Sequence, residues 1–252
     1  MISFIVPTYN EADVCKRLDR MVRFLKNCSY EIIVVDDSNE ENYSLLDKYR
    51  EQAEFKFVLI KGPKKGKGAA IKAAVGKTSG SIIFYVDSDL IIPLKYIHEF
   101  TDKIIKEDYD MVIAERPLIR APRNLMRMFF SASLSVLQRV FVFQSGYFRD
   151  TQCGFKAFKA DILRKIVSKQ TVDPGMFDVE YLYIARKNRF KIAKVRTVPL
   201  PETRRSKVNL VSCLVHDPQD LLKIKINGIT GKYLLEKAGV PGNVMQLEPQ
   251  GN

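Results

Sequence analysis

The sequence is poor in the side chains that bind zinc or form disulfides. It contains four cysteines and two histidines in 252 residues. The cysteines form no CxxC pair and have no histidine at zinc-ligand spacing, which argues against a zinc site and a disulfide framework. They are Cys15, Cys28, Cys153 and Cys213. We therefore expect a reducing compartment.

A long uninterrupted apolar run is also missing. The nearest candidate, residues 126–143, is broken by Gln138, Arg139 and several serines, whereas a spanning helix needs roughly 18 or more apolar residues. Residues 1–10 lack the basic region of a signal peptide and predict a buried strand instead. We therefore expect a cytoplasmic protein that contacts the inner face of a membrane only peripherally.

Acidic residues are the minority charge, since 41 Lys and Arg outnumber 29 Asp and Glu and give a formal net charge of +12. Such a charge attracts nucleic acid, acidic lipid headgroups or phosphorylated substrates, and by itself it does not select among them. The length and the 46% hydrophobic content predict one globular domain over residues 1–239, followed by a flexible tail, 240–252.

Short β-branched runs alternate with segments that have apolar residues at helical spacing. The predicted strands are residues 2–6, 32–35, 55–60, 82–86, 110–114 and 191–198. The predicted helices are residues 12–26, 40–52, 67–77, 93–106 and 178–187. This alternation predicts an α/β, Rossmann-like fold with a mostly parallel central sheet flanked by helices. Ligands of such folds bind beyond the carboxyl ends of the strands.

Polar and acidic side chains follow three of these strands. They are Pro7, Tyr9 and Glu11 after the first, Asp36 and Asp37 after the second, and Asp87, Ser88 and Asp89 after the fourth. Paired carboxylates are the oxygen ligands that Mg²⁺ and Mn²⁺ prefer, commonly together with substrate phosphates. The alternative is an acidic turn after each strand, in which Asp37 caps the next helix.

A loop of glycines and lysines, residues 62–70, opens the third predicted helix. Backbone N–H groups at a helix N-terminus favour phosphate, so Lys67 is a candidate phosphate ligand. The spacing is not that of a P-loop, because Gly68 stands where a Ser or Thr should follow the lysine. A solvated basic turn is the alternative and is favoured for Lys64 and Lys65.

Taken together, these motifs resemble family 2 glycosyltransferases of GT-A fold. The resemblance rests on residues 6–11, 34–38, 66–68 and 86–89, in the family's order and spacing. In the second half, residues 150–158 resemble the signature of dolichyl-phosphate β-glucosyltransferases, and residues 177–180 resemble the acidic motif that follows it. The resemblance covers about residues 1–210, and its specificity lies in the combination.

The resemblance implies a role for each half of the chain. Residues 1–115 would bind the nucleotide sugar. The residues around it would be Pro7, Tyr9, Glu11, Asp36 or Asp37, Lys67 and Ser88, of which the first five would surround base and ribose. The metal would bind to Asp87 and Asp89. Residues 116–239 would bind the acceptor. The acceptor-phosphate candidates are Arg116, Arg127, Ser131, Arg205 and Lys207. The catalytic candidates are Asp89, Asp150 and Asp178. Asp150, Asp178 and Glu180 would orient the sugar hydroxyls or the acceptor loop, and the alternative for Asp178 is a helix N-cap.

The resemblance implies an inverting transfer of a hexose from a nucleoside diphosphate sugar to a polyprenyl phosphate. UDP-glucose and dolichyl phosphate are the leading pair. Ile91 occupies the place where dolichyl-phosphate mannose synthases have a metal-binding Gln, which puts a third protein ligand in doubt and disfavours GDP-mannose. A soluble hydroxyl acceptor, with Asp150 or Asp178 as base, is a second alternative. A nucleic-acid binder is a third, disfavoured because the carboxylates cluster where a phosphate backbone would pass.

Arginines precede an aromatic-rich segment that is predicted to form an amphipathic helix. Residues 120–143 carry basic side chains at one end and many apolar ones along the rest, among them Phe129, Phe130 and Phe143. Such a helix can lie on a membrane with its apolar side in the acyl boundary. The alternative is that the same face packs on the protein's own sheet.

Overall fold

The computed structural model describes residues 1–117, 136, 138–143, 147–201 and 210–235, of which 139–141 and 210–215 are described in their backbone only. The strands are β1 (Ile2–Thr8), β2 (Tyr30–Asp36), β3 (Val58–Lys61), β4 (Ile82–Val86), β5 (Met111–Glu115), β6 (Phe155–Lys159) and β7 (Ile192–Arg196). The α-helices are α1 (Val14–Leu25), α2 (Glu40–Gln52), α3 (Lys67–Val75), α4 (Tyr96–Ile105), α5 (Ala160–Ser168), α6 (Phe177–Lys187) and α7 (Leu210–Ile229), and a π-helix covers Gln138–Phe143.

The strands form one sheet in the order β3-β2-β1-β4-β6-β5-β7. All neighbouring strands are parallel except β6, which runs antiparallel between β4 and β5. The predicted mostly parallel sheet is therefore confirmed. Strand β6 was not predicted, because Lys156 and Lys159 interrupt its apolar residues. Helix α7 was not predicted either.

Both faces of the sheet are covered by helices, which is why its strands are almost continuously apolar. On one face Phe4, Ile32 and Phe84 pack with α1 and α4. On the other face Ile5 and Tyr85 pack with α3, α5 and α6. Helix α1 shows how the spacing arises, because its buried residues recur every three or four positions, at Val14, Leu18, Met21 and Leu25.

The last residues of the predicted amphipathic segment, 120–143, are part of the hydrophobic core. Val142 and Phe143 are 2% and 6% exposed and belong to the apolar cluster that α6 and α7 also line. Phe143, which we expected on the membrane-facing side, therefore packs inside the protein. Residues 118–135, with Phe129 and Phe130, lie outside the described residues, as does the predicted tail, 240–252.

None of the helices in the described part of the chain has the length and apolar character needed to cross a membrane.

Candidate functional site

The predicted nucleotide residues converge at the carboxyl ends of β1, β2 and β4. Strand β1 lies between the other two in the sheet. The loops beyond β1 and β2 are joined by hydrogen bonds, from Asp37 N to Thr8 O at 3.0 Å and from Asn10 N to the Ser38 hydroxyl at 2.7 Å. The parallel topology thus collects side chains as far apart in sequence as Pro7 and Asp89, as in other open α/β sheets.

The two neighbouring acids after β2 differ in their surroundings. Asp36 is 3% exposed, and its Oδ1 accepts hydrogen bonds from the hydroxyls of Thr8 (2.7 Å) and Ser38 (2.6 Å). Its Oδ2 is buried and has no hydrogen-bond partner among the described residues. Asp37 is half-buried, and its Oδ1 accepts from the backbone N–H of Lys64 at 2.8 Å. Asp36 thus links the two loops from the buried side, whereas Asp37 is partly exposed at the same edge of the sheet.

Glu11 takes part in a link between the β1 and β4 loops that runs through Arg17. The Arg17 Nη1 donates to Glu11 Oε2 at 3.1 Å and to the backbone carbonyl of Ser88 at 3.3 Å. Tyr9 is 58% exposed at the same edge, and Pro7 is half-buried in β1. Arg17 was missed in the sequence because it lies within a helix, one turn beyond the loop that carries the recognised motif.

The carboxylates that follow β4 differ in what they contact. Asp87 forms an ion pair with the Lys67 ammonium, and its backbone N–H donates to the carbonyl of Gly154 at 2.8 Å. Asp89 Oδ1 accepts only a local hydrogen bond, from Ile91 N at 3.1 Å, among those described. Its pKa is raised, first by desolvation and then by the negative charge of Asp87. The two acids therefore form a closely spaced pair that favours a cation.

Gly154 belongs to the second-half signature, and its missing side chain gives room to Asp87. A Cβ at this position would lie 2.0 Å from Asp87 Oδ2. Any larger residue would therefore displace the carboxylate. Gly154, in the loop before β6, is therefore needed for the Asp87 carboxylate to keep its position after β4.

The donor set suits Mg²⁺ or Mn²⁺. Asp87 and Asp89 are hard oxygen ligands, and no third His, Cys, Asp or Glu joins them to form a cluster within the described ranges. Mg²⁺ commonly binds through one or two carboxylates and completes its octahedron with phosphate oxygens and water. The two aspartates could therefore hold the ion together with a diphosphate.

Two glycines at the N-terminus of α3 allow it to pack closely against residues 173–177. Gly66 has φ +100°, and Gly68 N donates to Asp173 O at 2.9 Å. A Cβ on Gly68 would lie 2.6 Å from that same oxygen. One of the N–H groups that we expected to face phosphate is thus used within the protein. Lys64 and Lys65 are exposed, as the solvated-turn alternative predicts.

Beneath the Lys67–Asp87 pair lies a second, fully buried pair, Lys156–Asp178. The Lys156 side chain is 0% exposed and donates to Asp178 Oδ1 and, at 2.7 Å, to the carbonyl of Cys153. The Tyr85 hydroxyl donates to the same Asp178 oxygen. Burial and the negative charge of Asp178 raise the pKa of Tyr85 well above its usual value. This network holds the Asp178 carboxylate within the core.

The helix-cap interpretation of Asp178 is wrong, because Met176 is the N-cap of α6 and Asp178 lies in its first turn. Lys156 and Tyr85 were not predicted as site residues. A lysine between Phe155 and Phe158 in an apolar strand was the available signal, since a buried lysine requires a partner.

Asp150 and Arg116 form a bidentate pair at the end of β5. Arg116 Nε and Nη2 donate to the two Asp150 oxygens, at 2.5 and 3.0 Å. Burial alone would raise the pKa of Asp150, but hydrogen bonds and charge from Arg116 outweigh it and lower the pKa. The same pair raises the pKa of Arg116, against the effect of burial. Asp150 is thus a carboxylate held ionised by an arginine, an unfavourable setting for a general base.

Glu180 is fully buried, so its carboxylate is not placed to contact sugar hydroxyls directly. It is 0% exposed and accepts hydrogen bonds from Thr171 N (2.8 Å), the Thr171 hydroxyl (2.6 Å), Val172 N (3.0 Å) and the Tyr233 hydroxyl (2.6 Å). It therefore fixes the loop whose next residues pack on α3. The remaining acceptor candidates, Arg127, Ser131, Arg205 and Lys207, lie outside the described residues.

Comparison with known proteins places this site in a family. The family described as "Glycosyl transferase family 2" matches residues 3–167, more than half of the chain. The chain belongs to this glycosyltransferase family. It is accordingly a glycosyltransferase, and the carboxylates after β4 lie within the part that matches.

Named relatives of this glycosyltransferase include dolichyl-phosphate β-glucosyltransferases. One from Trichomonas vaginalis is 30% identical over 240 residues, which cover 89% of this chain and 73% of the relative. The enzyme of that name from Homo sapiens is 28% identical over 94% of this chain and 78% of its own length.

Among solved structures, a similar one is glucosyl-3-phosphoglycerate synthase from Mycobacterium tuberculosis, in complex with Mn²⁺, UDP and phosphoglyceric acid. The two chains are 17% identical and superpose with a TM-score of 0.62, over 95% of this chain and 80% of the other. At this identity the comparison concerns the fold, and it confirms the predicted GT-A architecture.

Proposed function

We propose that this glycosyltransferase transfers glucose from UDP-glucose to a dolichyl or other polyprenyl phosphate at the cytosolic face of a membrane. The observation that carries the proposal is the similarity over about nine-tenths of the chain to relatives named for this reaction. The paired aspartates after β4, in reach of Lys67, supply a fitting site for a nucleoside diphosphate.

The nucleotide would bind across the β1, β2 and β4 edge. Tyr9, Glu11 and Asp37 are at least partly exposed at this edge and would contact base and ribose, while Asp36 and Pro7 would shape the loops behind them. Lys67 would move its ammonium from Asp87 to the diphosphate, because phosphate oxygens offer a competing negative charge. Mg²⁺ or Mn²⁺ on Asp87 and Asp89, when bound, neutralises charge on the diphosphate leaving group.

The transfer itself needs one displacement. An oxygen of the acceptor phosphate forms a bond to the anomeric carbon as the bond from that carbon to the UDP oxygen breaks, so configuration is inverted. Since the acceptor phosphate is anionic near neutral pH, no strong general base is required. Arg116, Arg127, Ser131, Arg205 and Lys207 are the proposed residues for holding this phosphate. Asp150 would orient Arg116, with which it pairs.

Asp178 is proposed as a positioning residue. Its carboxylate is buried against Lys156 and Tyr85, and the Lys67 ammonium lies 5.8 Å from the Tyr85 ring centroid. It would therefore act through Tyr85 and Lys67 on the diphosphate. Asp89 would contact the metal and so belongs to the catalytic machinery.

The experiment is a transfer assay with radiolabelled UDP-glucose and detergent-solubilised dolichyl phosphate, with Mn²⁺ or with a chelator. We expect a chloroform-soluble glucolipid in the metal sample only. GDP-mannose and 3-phosphoglycerate serve as the competing donor and acceptor. A preference for GDP-mannose would overturn the proposed donor, and efficient transfer to 3-phosphoglycerate without lipid would overturn the proposed acceptor.

A further inference from the structure

Helix α7 has apolar side chains on two different faces. Leu221, Ile224 and Gly228 form the inner face, and Gly228 comes so close to Tyr183 that a Cβ would lie 2.2 Å from its ring. On the outer face Leu222, Ile226 and Ile229 are 49%, 50% and 71% exposed. Positions four and three apart share a helix face, so these three form one exposed apolar stripe.

This stripe is unlike the outer faces of other helices of the protein. In α1 the buried positions Val14, Leu18, Met21 and Leu25 account for the apolar face, and its exposed positions are charged. On α7 the exposed apolar residues continue past the helix with Leu234, which is 51% exposed. Exposed apolar residues that share one helix face, as Leu222, Ile226 and Ile229 do, are a feature of interaction sites.

Basic side chains lie beside the stripe. Residues 221–235 contain Lys223, Lys225 and Lys232, and this segment is preceded by Asp220 and followed in sequence by Glu236. Lys225 also lines a cavity of about 200 Å³ between α7, α6 and the π-helix. Its described lining consists of Val142, Phe143, Tyr183, Arg186, Lys187 and Lys225, which combines apolar walls with three cations.

We infer that the outer face of α7 and this cavity form a docking surface for an anionic lipid bilayer. The stripe would enter the acyl boundary, and Lys187 and Lys225 would face the phosphates of the headgroups, with the cavity receiving one of them. Charge complementarity favours this partner: apolar residues beside cations are the pattern of helices that lie on anionic membranes. The inference rests on the proposed function in that a polyprenyl acceptor lies in the bilayer.

The test is cosedimentation with phosphatidylcholine vesicles, with or without 30% phosphatidylserine. We expect the parent protein to bind the anionic vesicles preferentially. Ile226→Ser with Ile229→Ser should weaken this binding about tenfold or more, and Lys187→Gln with Lys225→Gln should remove the preference for phosphatidylserine. The matched control is Leu45→Ser with Ile105→Ser, which replaces residues 59% and 67% exposed on α2 and α4. It should bind as the parent does.

Three results would overturn the inference. The parent could fail to bind anionic vesicles, or the Ile226/Ile229 variant could bind them as the parent does. The third is that this variant changes the oligomeric state, which would show that the stripe contacts a second copy of the chain. Melting temperature and UDP affinity of each variant show that the fold is intact. Transfer to detergent-solubilised dolichyl phosphate does not require binding to a bilayer. Loss of this transfer with intact vesicle binding would contradict the proposed function alone. Intact transfer without vesicle binding would contradict the docking surface alone.

Discussion

The site contains two lysine–aspartate pairs near Tyr85, and they differ in burial. In the outer pair, the side chains of Lys67 and Asp87 are 29% and 35% exposed. In the inner pair, Lys156 and Asp178 are 0% and 5% exposed. The two ammonium groups lie 5.8 and 5.4 Å from the Tyr85 ring centroid. The same two residue types therefore meet in very different dielectric surroundings.

This difference in burial implies different roles for the two ion pairs. Partly exposed ion pairs contribute less to stability than buried ones and exchange partners more readily, because water compensates part of each charge. A buried pair cannot lose one member without leaving an uncompensated charge. The outer pair is thus suited to ligand exchange during nucleotide binding, while the inner pair fixes the position of α6 relative to β4 and β6. The following predictions test this division.

The largest effect is expected in the inner pair. Lys156→Met should lower the free energy of unfolding by about 4 kcal/mol, because it leaves the Asp178 carboxylate buried without its cation. Urea denaturation measures the change. The matched control in the same strand is Lys159→Met, whose partly exposed side chain pairs with Asp108 and Asp110 and whose loss should cost about 1 kcal/mol or less. Equal effects at the two positions would contradict the comparison.

The second largest effect is expected at Asp89 and concerns the rate of transfer, not stability. Asp89→Asn should reduce metal-dependent glucosyl transfer by about a hundredfold to a thousandfold, roughly 3 to 4 kcal/mol, while the melting temperature stays near that of the parent. Asp161→Asn, which breaks an exposed pair with Lys165, is the control and should leave turnover unchanged. Near-normal transfer by the Asp89 variant would remove Asp89 from the metal site.

The outer lysine should show the opposite profile to the inner one. Lys67→Met should lower UDP affinity about thirtyfold, near 2 kcal/mol, because a charge-assisted contact to the diphosphate is lost. It should change the unfolding free energy by less than about 1 kcal/mol. Without nucleotide, Mn²⁺ should bind this variant more tightly than the parent, since Asp87 no longer pairs with an ammonium. Calorimetry measures both affinities, and weaker Mn²⁺ binding would show that Lys67 supports the metal site.

The smallest effect concerns the Arg116–Asp150 pair and depends on pH. Because the pKa of Asp150 is lowered in the folded state, its contribution to stability is present above the unfolded pKa, near 4, and is lost as the pH falls through the folded value. Asp150→Asn should therefore destabilise the protein by about 1.5 kcal/mol at pH 7 and by less at pH 3. A difference between variant and parent that grows on acidification would contradict the lowered pKa.

Much of the fold could be predicted from the sequence because its signals are local. Alternation of apolar runs with helical spacing follows from hydrogen bonding and burial within each element, and the parallel topology then brings the acids that follow β2 and β4 to one edge. The motif with Asp87 and Asp89 was recognisable because both residues lie at the end of one buried strand. Family membership followed from the order of such motifs.

The remaining features depended on tertiary contacts between distant parts of the chain. Nothing near Lys156 in sequence indicates that Asp178 neutralises it, and nothing near Gly68 indicates that Asp173 lies against it. Helix α7 carries apolar residues on two faces, and packing of Leu221, Ile224 and Gly228 against the core decides which of them is buried. Local propensity determines where helices and strands form. Which side chains are buried, paired with a charge or exposed depends on the residues that the fold brings next to them.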